Sequence, residues 1–378
     1  MSANVTPPGA QPRATTSRRM LETLRRWAGP VIDPTPVSLR RLALASVAAT
    51  AGIVATGAAV RLSKSGLGCP TWPDCTKSSL VAAHSPGDPM FHTWIEFGNR
   101  LVTFILLAVA VAVVVAAWRF RDAGPSGPRR RWDLVWLAVM QPLGVAAQAA
   151  IGGVVVLTGL NPFWVSFHFV VSVAVVAAAV MLHVRCTEGT GPAVQTVRRE
   201  LRLLALGLVA VCLLMLVAGT VVTGTGPLAG AGNVPRYHLA LSGVTQFHAD
   251  VGWTLGWLAF ALMLGLRLTS APSRARQAGY WLLGLVAVQG GLGYLQYFTG
   301  LPAGLVWVHE SASILIWVAA LRAWFATRDR GAIAVPPAVP EGTAAAGAVR
   351  HGPVPEGTGP GSAVSGGAVP EGAVTPRP

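Results

Sequence analysis

The chain contains one motif twice, and this repeat constrains its fold more strongly than any other feature. The first copy runs over Gln148–His168 and the second over Gln289–His309, and the two align without a gap. The identical positions include Gln148 with Gln289, Gly152 with Gly293, Thr158-Gly159-Leu160 with Thr299-Gly300-Leu301, and His168 with His309. Each copy predicts an apolar helix, a Thr-Gly turn and a second apolar helix that carries the histidine. A duplication explains the pattern, so we expect two similar halves.

Eight apolar segments follow one another along the chain, each long enough to cross about 30 Å of hydrocarbon. They lie at roughly residues 42–60, 94–117, 133–157, 163–183, 203–222, 246–266, 278–297 and 304–325. Hydrophobic residues make up 52% of the chain and charged residues only 12%. Because a helix satisfies its backbone hydrogen bonds internally, the sequence predicts an all-α integral membrane protein. The repeat further predicts that the eight transmembrane helices form two pseudosymmetric four-helix bundles.

Arginine is concentrated in alternate connections between these segments. Residues 1–41 carry seven Arg, 118–132 five, 184–202 four, 267–276 three and 322–330 three. Loops rich in Lys and Arg remain in the cytoplasm, so we predict a multi-pass protein of the cell membrane, surrounded by lipid, with both termini cytoplasmic. The net charge of +14 is spread over these loops and forms no single patch, which argues against a nucleic-acid partner.

These features divide the chain into five parts. We predict a basic cytoplasmic tail at 1–41, an N-terminal four-helix unit at 42–183, a cytoplasmic linker at 184–202, a C-terminal four-helix unit at 203–325 and a disordered cytoplasmic tail at 326–378. The last part consists largely of short repeats of Gly, Pro, Ala and Glu. Such a composition cannot form a hydrophobic core.

Cys69 and Cys75 lie in the first loop on the outer side, where thiols oxidise. The other two cysteines, Cys186 and Cys212, lie at or near the cytoplasmic side, so only the first pair is a disulfide candidate. Two interpretations of that pair remain open. It is either a structural link across a short loop or a redox-active pair that faces the site.

The second apolar helix begins with three polar residues on one face. His92, Glu96 and Asn99 recur at spacings of four and three, which places their side chains on the same side of a helix. A polar face on a membrane helix is expected to point into a bundle, because an ionisable group that faces lipid is costly. The alternative for Glu96 is a simple ion pair with Arg100 one turn later.

Histidines occur near the outer ends of three helices. His248 and His309 are predicted at one depth on facing helices of the second unit, and His168 is at the equivalent place in the first. Two imidazoles on facing helices are the usual way to hold a haem iron from both sides. A zinc site needs three or four ligands with Cys or carboxylate among them, and the sequence has no such cluster. A buried histidine that is only hydrogen-bonded remains the alternative for each.

The two units are therefore not equivalent. The second has a histidine on each facing helix and is typical of a saturated, electron-carrying haem site. The first has His168 with Asn99 opposite, and Glu96 three residues before Asn99, an arrangement suited to chemistry in which a carboxylate handles protons. Basic residues at the helix ends either pair with haem propionates or anchor those ends. They are Arg61, Arg100 and Arg236.

Several motifs together resemble the heme A synthases. They are TGAAVRLSKSGLGCPTWPDC, IEFGNRLVTF, AAIGGVVVLTGL with the following SFH, VVTGTGPLAG, PRYHLALSGVTQFHAD and LQYFTGLPAGLVWVHES, within about residues 42–325. The resemblance implies two four-helix units, with cofactor haem b in the C-terminal half and substrate haem O in the N-terminal half. It implies an oxidoreductase that converts the C8 methyl of haem O to a formyl group by successive hydroxylations, giving haem A for terminal oxidases.

The resemblance also implies roles for individual residues and partners. Matched position by position, it assigns the cofactor iron to His248 and His309, one substrate-haem ligand to His168, catalysis to Glu96, and a disulfide to Cys69 and Cys75. Further expected partners are an electron acceptor, a haem O synthase and assembly factors of the terminal oxidase.

One residue departs from the family pattern. Asn99 stands where many members have a histidine three residues after the glutamate. His92 is a poor replacement, since two helical turns place it about 10 Å away along the axis. We therefore expect His168 alone to hold the substrate iron. The rival functions are a non-catalytic bis-His cytochrome b, which leaves Glu96 unexplained, and a haem chaperone or transporter, which leaves its haem chemically unchanged.

Overall fold

The structure is a computed structural model that describes residues 28–77, 79–82, 90–124 and 127–333. Within these residues, eight helices are long and apolar enough to cross a membrane, which confirms the predicted multi-pass membrane protein. We number them α1 Pro36–Leu62, α2 Met90–Arg119, α3 Trp132–Leu157, α4 Pro162–Arg185, α5 Arg199–Thr225, α6 Leu241–Leu268, α7 Ser273–Phe298 and α8 Ala303–Phe325.

The first helix begins earlier than the hydrophobicity pattern predicts. It starts at Pro36 rather than near residue 42, because Thr35 and Ser38 form a capping box and Pro36 occupies the first turn. The Thr35 hydroxyl accepts a hydrogen bond from the Ser38 N–H at 3.1 Å, and the Ser38 hydroxyl accepts one from the Thr35 N–H at 2.9 Å. These bonds satisfy N–H groups that a helix start leaves free. The other helices lie where they were predicted, with ends extended by a few residues.

Each half of the chain forms a ring of four helices. In the N-terminal unit α1 packs on α2 and α4, and α3 packs on the same two helices. The C-terminal unit repeats this pattern with α5 to α8. The two units meet where α1 contacts α8 and where α4 contacts α5 and α8. This matching contact pattern agrees with the duplication, and the detailed pseudosymmetry of the bundles stays a prediction.

The repeated Thr-Gly-Leu motif forms the same turn in both units. Gly159 and Leu160 have φ angles of 63° and 60°, and Gly300 and Leu301 have φ angles of 78° and 61°. In each turn the leucine N–H bonds to a carbonyl in the last turn of the preceding helix, at 2.9 Å in the first copy and 2.8 Å in the second. The glycine supplies the left-handed conformation that such a helix end requires.

Short strands connect the helices at the end of the bundle opposite the Cys69–Cys75 loop. A hairpin of β1 Arg121–Gly124 and β2 Gly127–Arg130 lies between α2 and α3, and β3 Val194–Gln195 pairs with β4 Arg328–Asp329. The last pair corrects one boundary. Residues 326–333, predicted as the start of a disordered tail, are packed against the 184–202 linker, because their backbone pairs with it.

Other predictions for the ends of the chain lie outside the described residues. They concern most of the basic tail, at 1–27, and the remainder of the C-terminal tail, at 334–378. At the same end of the bundle, charged residues link α3 to the end of α4. Arg185 bonds to Asp133 at 2.6 Å and to Glu188 at 2.9 Å, so the buried Glu188 carboxylate is compensated.

Candidate functional site

His248 on α6 and His309 on α8 face each other in the C-terminal unit. Their ring centroids are 6.5 Å apart and the ring planes are inclined at 65°. Imidazole nitrogens bind metals at about 2 Å, so two rings on opposite sides of one iron would have centroids about 6 Å apart. The pair therefore has the separation that a bis-imidazole haem requires, as the sequence predicts for these two helices.

A glycine on the preceding helix makes room for each of these rings. A Cβ atom at Gly219 on α5 would lie 3.3 Å from Cε1 of His248, and one at Gly293 on α7 would lie 3.2 Å from Cε1 of His309. Both distances are tighter than an ordinary van der Waals contact. The backbone of the preceding helix thus forms a flat wall that positions the imidazole, and any larger residue would push the ring away.

His168 in the N-terminal unit is held in the same way. A Cβ atom at Gly152 on α3 would lie 3.3 Å from its Cε1 atom. The Gln148 amide donates to the His168 carbonyl at 3.1 Å, and Gln289 donates to the His309 carbonyl at 2.7 Å. The residues that match in the repeat therefore make matching contacts, which the sequence alignment by itself could not demonstrate.

The nitrogens of the three histidines are arranged for ligation. In His168, His248 and His309 the Nδ1 atom is buried beside the glycine of the preceding helix. Among the described residues, none of the Nε2 atoms of these rings takes part in a hydrogen bond, so Nε2 remains available to a metal. The residues fit a haem group.

Asn99 on α2 stands at the fourth position, where the C-terminal unit has His248. It is half-buried, and its Oδ1 atom lies 2.7 Å from the hydroxyl of Thr56 on α1. The amide nitrogen of asparagine has no basic lone pair, so this side chain cannot replace an imidazole as an iron ligand. Sequence reasoning missed Thr56. Buried Ala43, Ser46 and Thr50 on α1 match buried Ala205, Leu208 and Cys212 on α5, which pairs Gly57 with Gly219 and leaves no sequence signal for Thr56.

The Glu96 carboxylate is buried, with 5% of the residue exposed. One of its oxygens accepts a hydrogen bond from Arg100 at 2.7 Å, and the other accepts one from the Cys69 N–H at 2.8 Å. The ion pair with Arg100 that the sequence left as an alternative is therefore present. It is accompanied by a second contact that ties Glu96 to the loop outside the helix.

That loop is closed by a disulfide between Cys69 and Cys75, as predicted. Arg100 donates to the carbonyls of Cys69, Thr71 and Asp74 at 3.0, 3.1 and 3.2 Å, so the disulfide loop wraps around its guanidinium group. Cys186 and Cys212 are free and buried, and burial raises the pKa of the Cys186 thiol to about 12. The disulfide loop and Arg100 together enclose Glu96.

Trp72 holds the same loop against α3. Its ring packs on Gly153, where a Cβ atom would come within 2.6 Å. His92 lies near this loop and not with the other histidines, since its Nδ1 atom is 2.8 Å from the Ser65 hydroxyl. This contact agrees with the expectation that His92 is a poor replacement for the missing ligand at Asn99.

Arg61 and Arg236, predicted near the helix ends, both have partners within the protein. Arg61 pairs with Glu310, the residue after His309, and so connects α1 of one unit to α8 of the other. The indole of Trp307 donates to the Ala55 carbonyl at 2.9 Å across the same boundary. Arg236 donates to the Gly226 carbonyl and holds the loop between α5 and α6. No sequence pattern had indicated Glu310 as the partner of Arg61.

Comparisons with known proteins agree with this geometry. The model of a family described as cytochrome oxidase assembly protein, COX15-CtaA, matches residues 40–321. A protein named heme A synthase from Geobacillus thermodenitrificans is 34% identical over 111 residues, which cover 29% of this chain and 30% of the relative. Another from Lysinibacillus sphaericus is 35% identical over 141 residues, covering 36% of this chain and 42% of the relative.

A third relative extends the alignment at lower identity. The heme A synthase of Halalkalibacterium halodurans is 25% identical over 186 residues, covering 48% of this chain and 58% of the relative. The chain thus spans less than two thirds of each of these relatives, and about a third of the first. The family match is much wider, since it includes all eight helices.

Proposed function

We propose that this chain, which belongs to the COX15-CtaA family of cytochrome oxidase assembly proteins, is a heme A synthase. The observation that carries the proposal is the difference between its two units. One unit has His248 and His309 at a distance suited to a single iron. The other has one such histidine, His168, and a buried carboxylate, Glu96. A site for electron transfer beside a site for chemistry is the arrangement that this reaction needs.

In this proposal the C-terminal unit binds haem b and the N-terminal unit binds haem O. His248 and His309 hold the first iron from both sides, and His168 holds the second. When bound, the two haems supply the redox chemistry, and the protein supplies position and charge. The glycine walls keep each imidazole in place, and the apolar helices exclude bulk water.

Glu96 is the proposed catalytic residue. Its two oxygens accept hydrogen bonds from Arg100 and Cys69, and each oxygen retains a lone pair. A carboxylate held in this way can accept a proton or stabilise positive charge near the substrate periphery. Arg61 is the proposed propionate partner, since its guanidinium group lies at the boundary of the two units beside Glu310.

The proposed reaction oxidises the C8 methyl group of haem O to a formyl group by successive hydroxylations, giving haem A. Because this is a net oxidation, an electron acceptor has to take up the electrons. A haem O synthase would supply the substrate, and assembly factors of a terminal oxidase would receive the product. We also propose that the protein lies in the cell membrane with both termini in the cytoplasm, which the distribution of Arg supports.

The test is to extract and chromatograph the haems of the purified protein, expressed with and without a supply of haem O. We expect haem A, or a hydroxylated haem O, only when haem O is supplied. Glu96→Ala should retain haem and lose this product. Haem b alone under both conditions, with an intact bis-His spectrum, would instead indicate an electron carrier. Bound haem O that remains unmodified would indicate a chaperone or transporter.

A further inference from the structure

Arginines at the end of the bundle opposite the disulfide loop differ in whether the protein supplies them with carboxylates. Arg131 bonds to Asp133 at 2.8 Å, and Arg185 bonds to Asp133 and Glu188. Three other arginines at this end lie close together, and none of them forms a salt bridge with a described residue. They are Arg40 on α1, Arg274 on α7 and Arg322 on α8, and we call them the arginine cluster.

The arginine cluster lies where the two four-helix units meet. Its helices belong to both units, and α8 contacts both α1 and α7. The charges that act on Arg322 are those of Arg40 and Arg274, and both repel it. Arg40 and Arg322 also act on His183 of α4, a buried imidazole whose Nε2 atom bonds to none of the described residues. Among the described residues, nothing compensates the positive charge that these helix ends bring together.

Each arginine of the cluster is exposed and has an exposed apolar side chain deeper on the same face of its helix. Residues four or seven positions apart share a helix face. The pairs are Arg40 with Leu44, Arg274 with Trp281, and Arg322 with Leu315, and the exposed fractions of the apolar partners are 49%, 73% and 50%. Because α1 and α7 begin at this end and α8 ends here, every apolar partner lies about 6–10 Å closer to the middle of the membrane.

We propose that the arginine cluster binds the phosphate of an anionic phospholipid, whose acyl chains lie along the exposed apolar side chains of α1, α7 and α8. Guanidinium groups match phosphate oxygens in geometry and charge. Basic pockets between transmembrane helices on the cytoplasmic side are a known type of anionic headgroup site, and we propose that this end is cytoplasmic. A free phosphate ion would need only the arginines, whereas the apolar residues beneath them fit a lipid. The bound lipid would contact both units and so help to hold them together.

The experiment titrates the purified full-length protein in detergent with phosphatidylglycerol and, separately, with uncharged phosphatidylcholine, and counts bound lipids by native mass spectrometry. We expect wild type to bind one phosphatidylglycerol, and to bind phosphatidylcholine much more weakly. R40Q/R274Q/R322Q should bind phosphatidylglycerol about 100-fold more weakly, since each arginine near a headgroup contributes about fivefold. R41Q/R267Q/R276Q is the matched control, because it removes the same charge at the same end from residues that do not act on Arg322 or His183.

Equal affinity for the two lipids in wild type would overturn the proposal, and this is also the result expected if acidic residues elsewhere in the chain cover the cluster. Unchanged binding in the triple variant would contradict it, and so would an equal loss in the control, which would show an effect of general positive charge. Inorganic phosphate should not displace the lipid. Displacement at a similar concentration would indicate a site for free anions and reject the lipid.

Neutralising the cluster removes repulsion, so we expect the triple variant to fold. If it does not, R40Q, R274Q and R322Q should each weaken phosphatidylglycerol binding about fivefold, and three single variants with wild-type affinity would reject the site. These measurements require neither haem O nor its product. Absence of haem A from wild type would therefore reject the proposed function and leave the lipid site standing.

Discussion

The N-terminal and C-terminal units are built on the same ring of four helices and differ mainly at one position. In each unit a glutamine amide donates to the carbonyl of a histidine, His168 or His309, and the ring of that histidine packs against a glycine of the preceding helix. The C-terminal unit adds a second such histidine, His248, whereas the N-terminal unit has Asn99 bonded to Thr56. The comparison teaches that one copy of a duplicated scaffold can lose a histidine while the contacts between its helices remain the same.

The outer loops sharpen this difference. In the N-terminal unit the disulfide loop wraps around Arg100 and reaches Glu96 through the Cys69 N–H. In the C-terminal unit the corresponding loop has no cysteine, and it contacts the other unit through Tyr237, whose hydroxyl is 3.1 Å from Ser166. Asn99 and the buried Glu96 carboxylate therefore lie in the same unit, the one whose outer loop is closed by a disulfide.

The largest expected effect comes from removing one imidazole of the C-terminal pair. His309→Ala should abolish the bis-His spectrum and lower haem A formation by at least about 100-fold, since even outer partners of metal ligands contribute 10–100-fold. His168→Ala should also lose the product but keep the bis-His spectrum. Absorption spectra and haem chromatography measure both, with His92→Ala as control because His92 bonds to Ser65. A low-spin spectrum retained in His309→Ala would contradict the assignment of the bis-His haem to the C-terminal unit.

Neutralising the carboxylate should affect the N-terminal unit alone. Glu96→Gln keeps the size of the side chain and removes its charge, so we expect haem A formation to fall by about 10²–10⁴-fold, the usual contribution of a general acid or base. The haem content should be unchanged. Product rate and haem stoichiometry are measured on the same preparation, and Glu200→Gln, at an exposed position of α5, is the control. Equal loss of haem and product would assign Glu96 a structural role.

Replacing the glycine beside a histidine should weaken haem binding only in the unit that carries the replacement. Gly293→Ala places a Cβ 3.2 Å from His309, and Gly152→Ala places one 3.3 Å from His168. Overpacking costs about 1–3 kcal/mol, so we expect haem affinity to fall about tenfold in the altered unit only. Hemin titration followed at the bis-His bands measures the first variant, and the high-spin bands measure the second. Gly284→Ala on α7 is the control, because nothing lies within 4 Å of its added Cβ.

The smallest effect is expected from opening the disulfide loop. Replacing Cys69 and Cys75 by Ser should slow haem A formation about threefold to tenfold, because the loss of the link loosens the loop while Arg100 still bonds to Glu96. The bis-His spectrum of the C-terminal unit should not change. A reductant should slow the wild type to the rate of the variant and leave the variant unaffected. A variant as slow as Glu96→Gln would instead point to redox chemistry at the cysteines.

The eight helices and the three histidines could be predicted from the sequence because each depends on local information. Hydrophobic length determines which segments cross a membrane, and the ungapped repeat predicts equivalent depths for His168 and His309. The predicted start of α1 lies too far along the chain, because the capping box at Thr35 precedes the apolar run on which the prediction was based. Residues 326–333 were assigned to the tail because their order comes from pairing with a distant linker.

By itself, the sequence determined the membrane class, the duplication and the unequal distribution of histidines between the two units. Only the tertiary structure decided which side chains meet: Thr56 with Asn99, Arg61 with Glu310, and each histidine with its glycine. The physical reason is that hydrophobic transfer and helical hydrogen bonding act within a segment, whereas these contacts join residues on different helices. Their partners follow from packing, which brings together positions that are far apart in the chain.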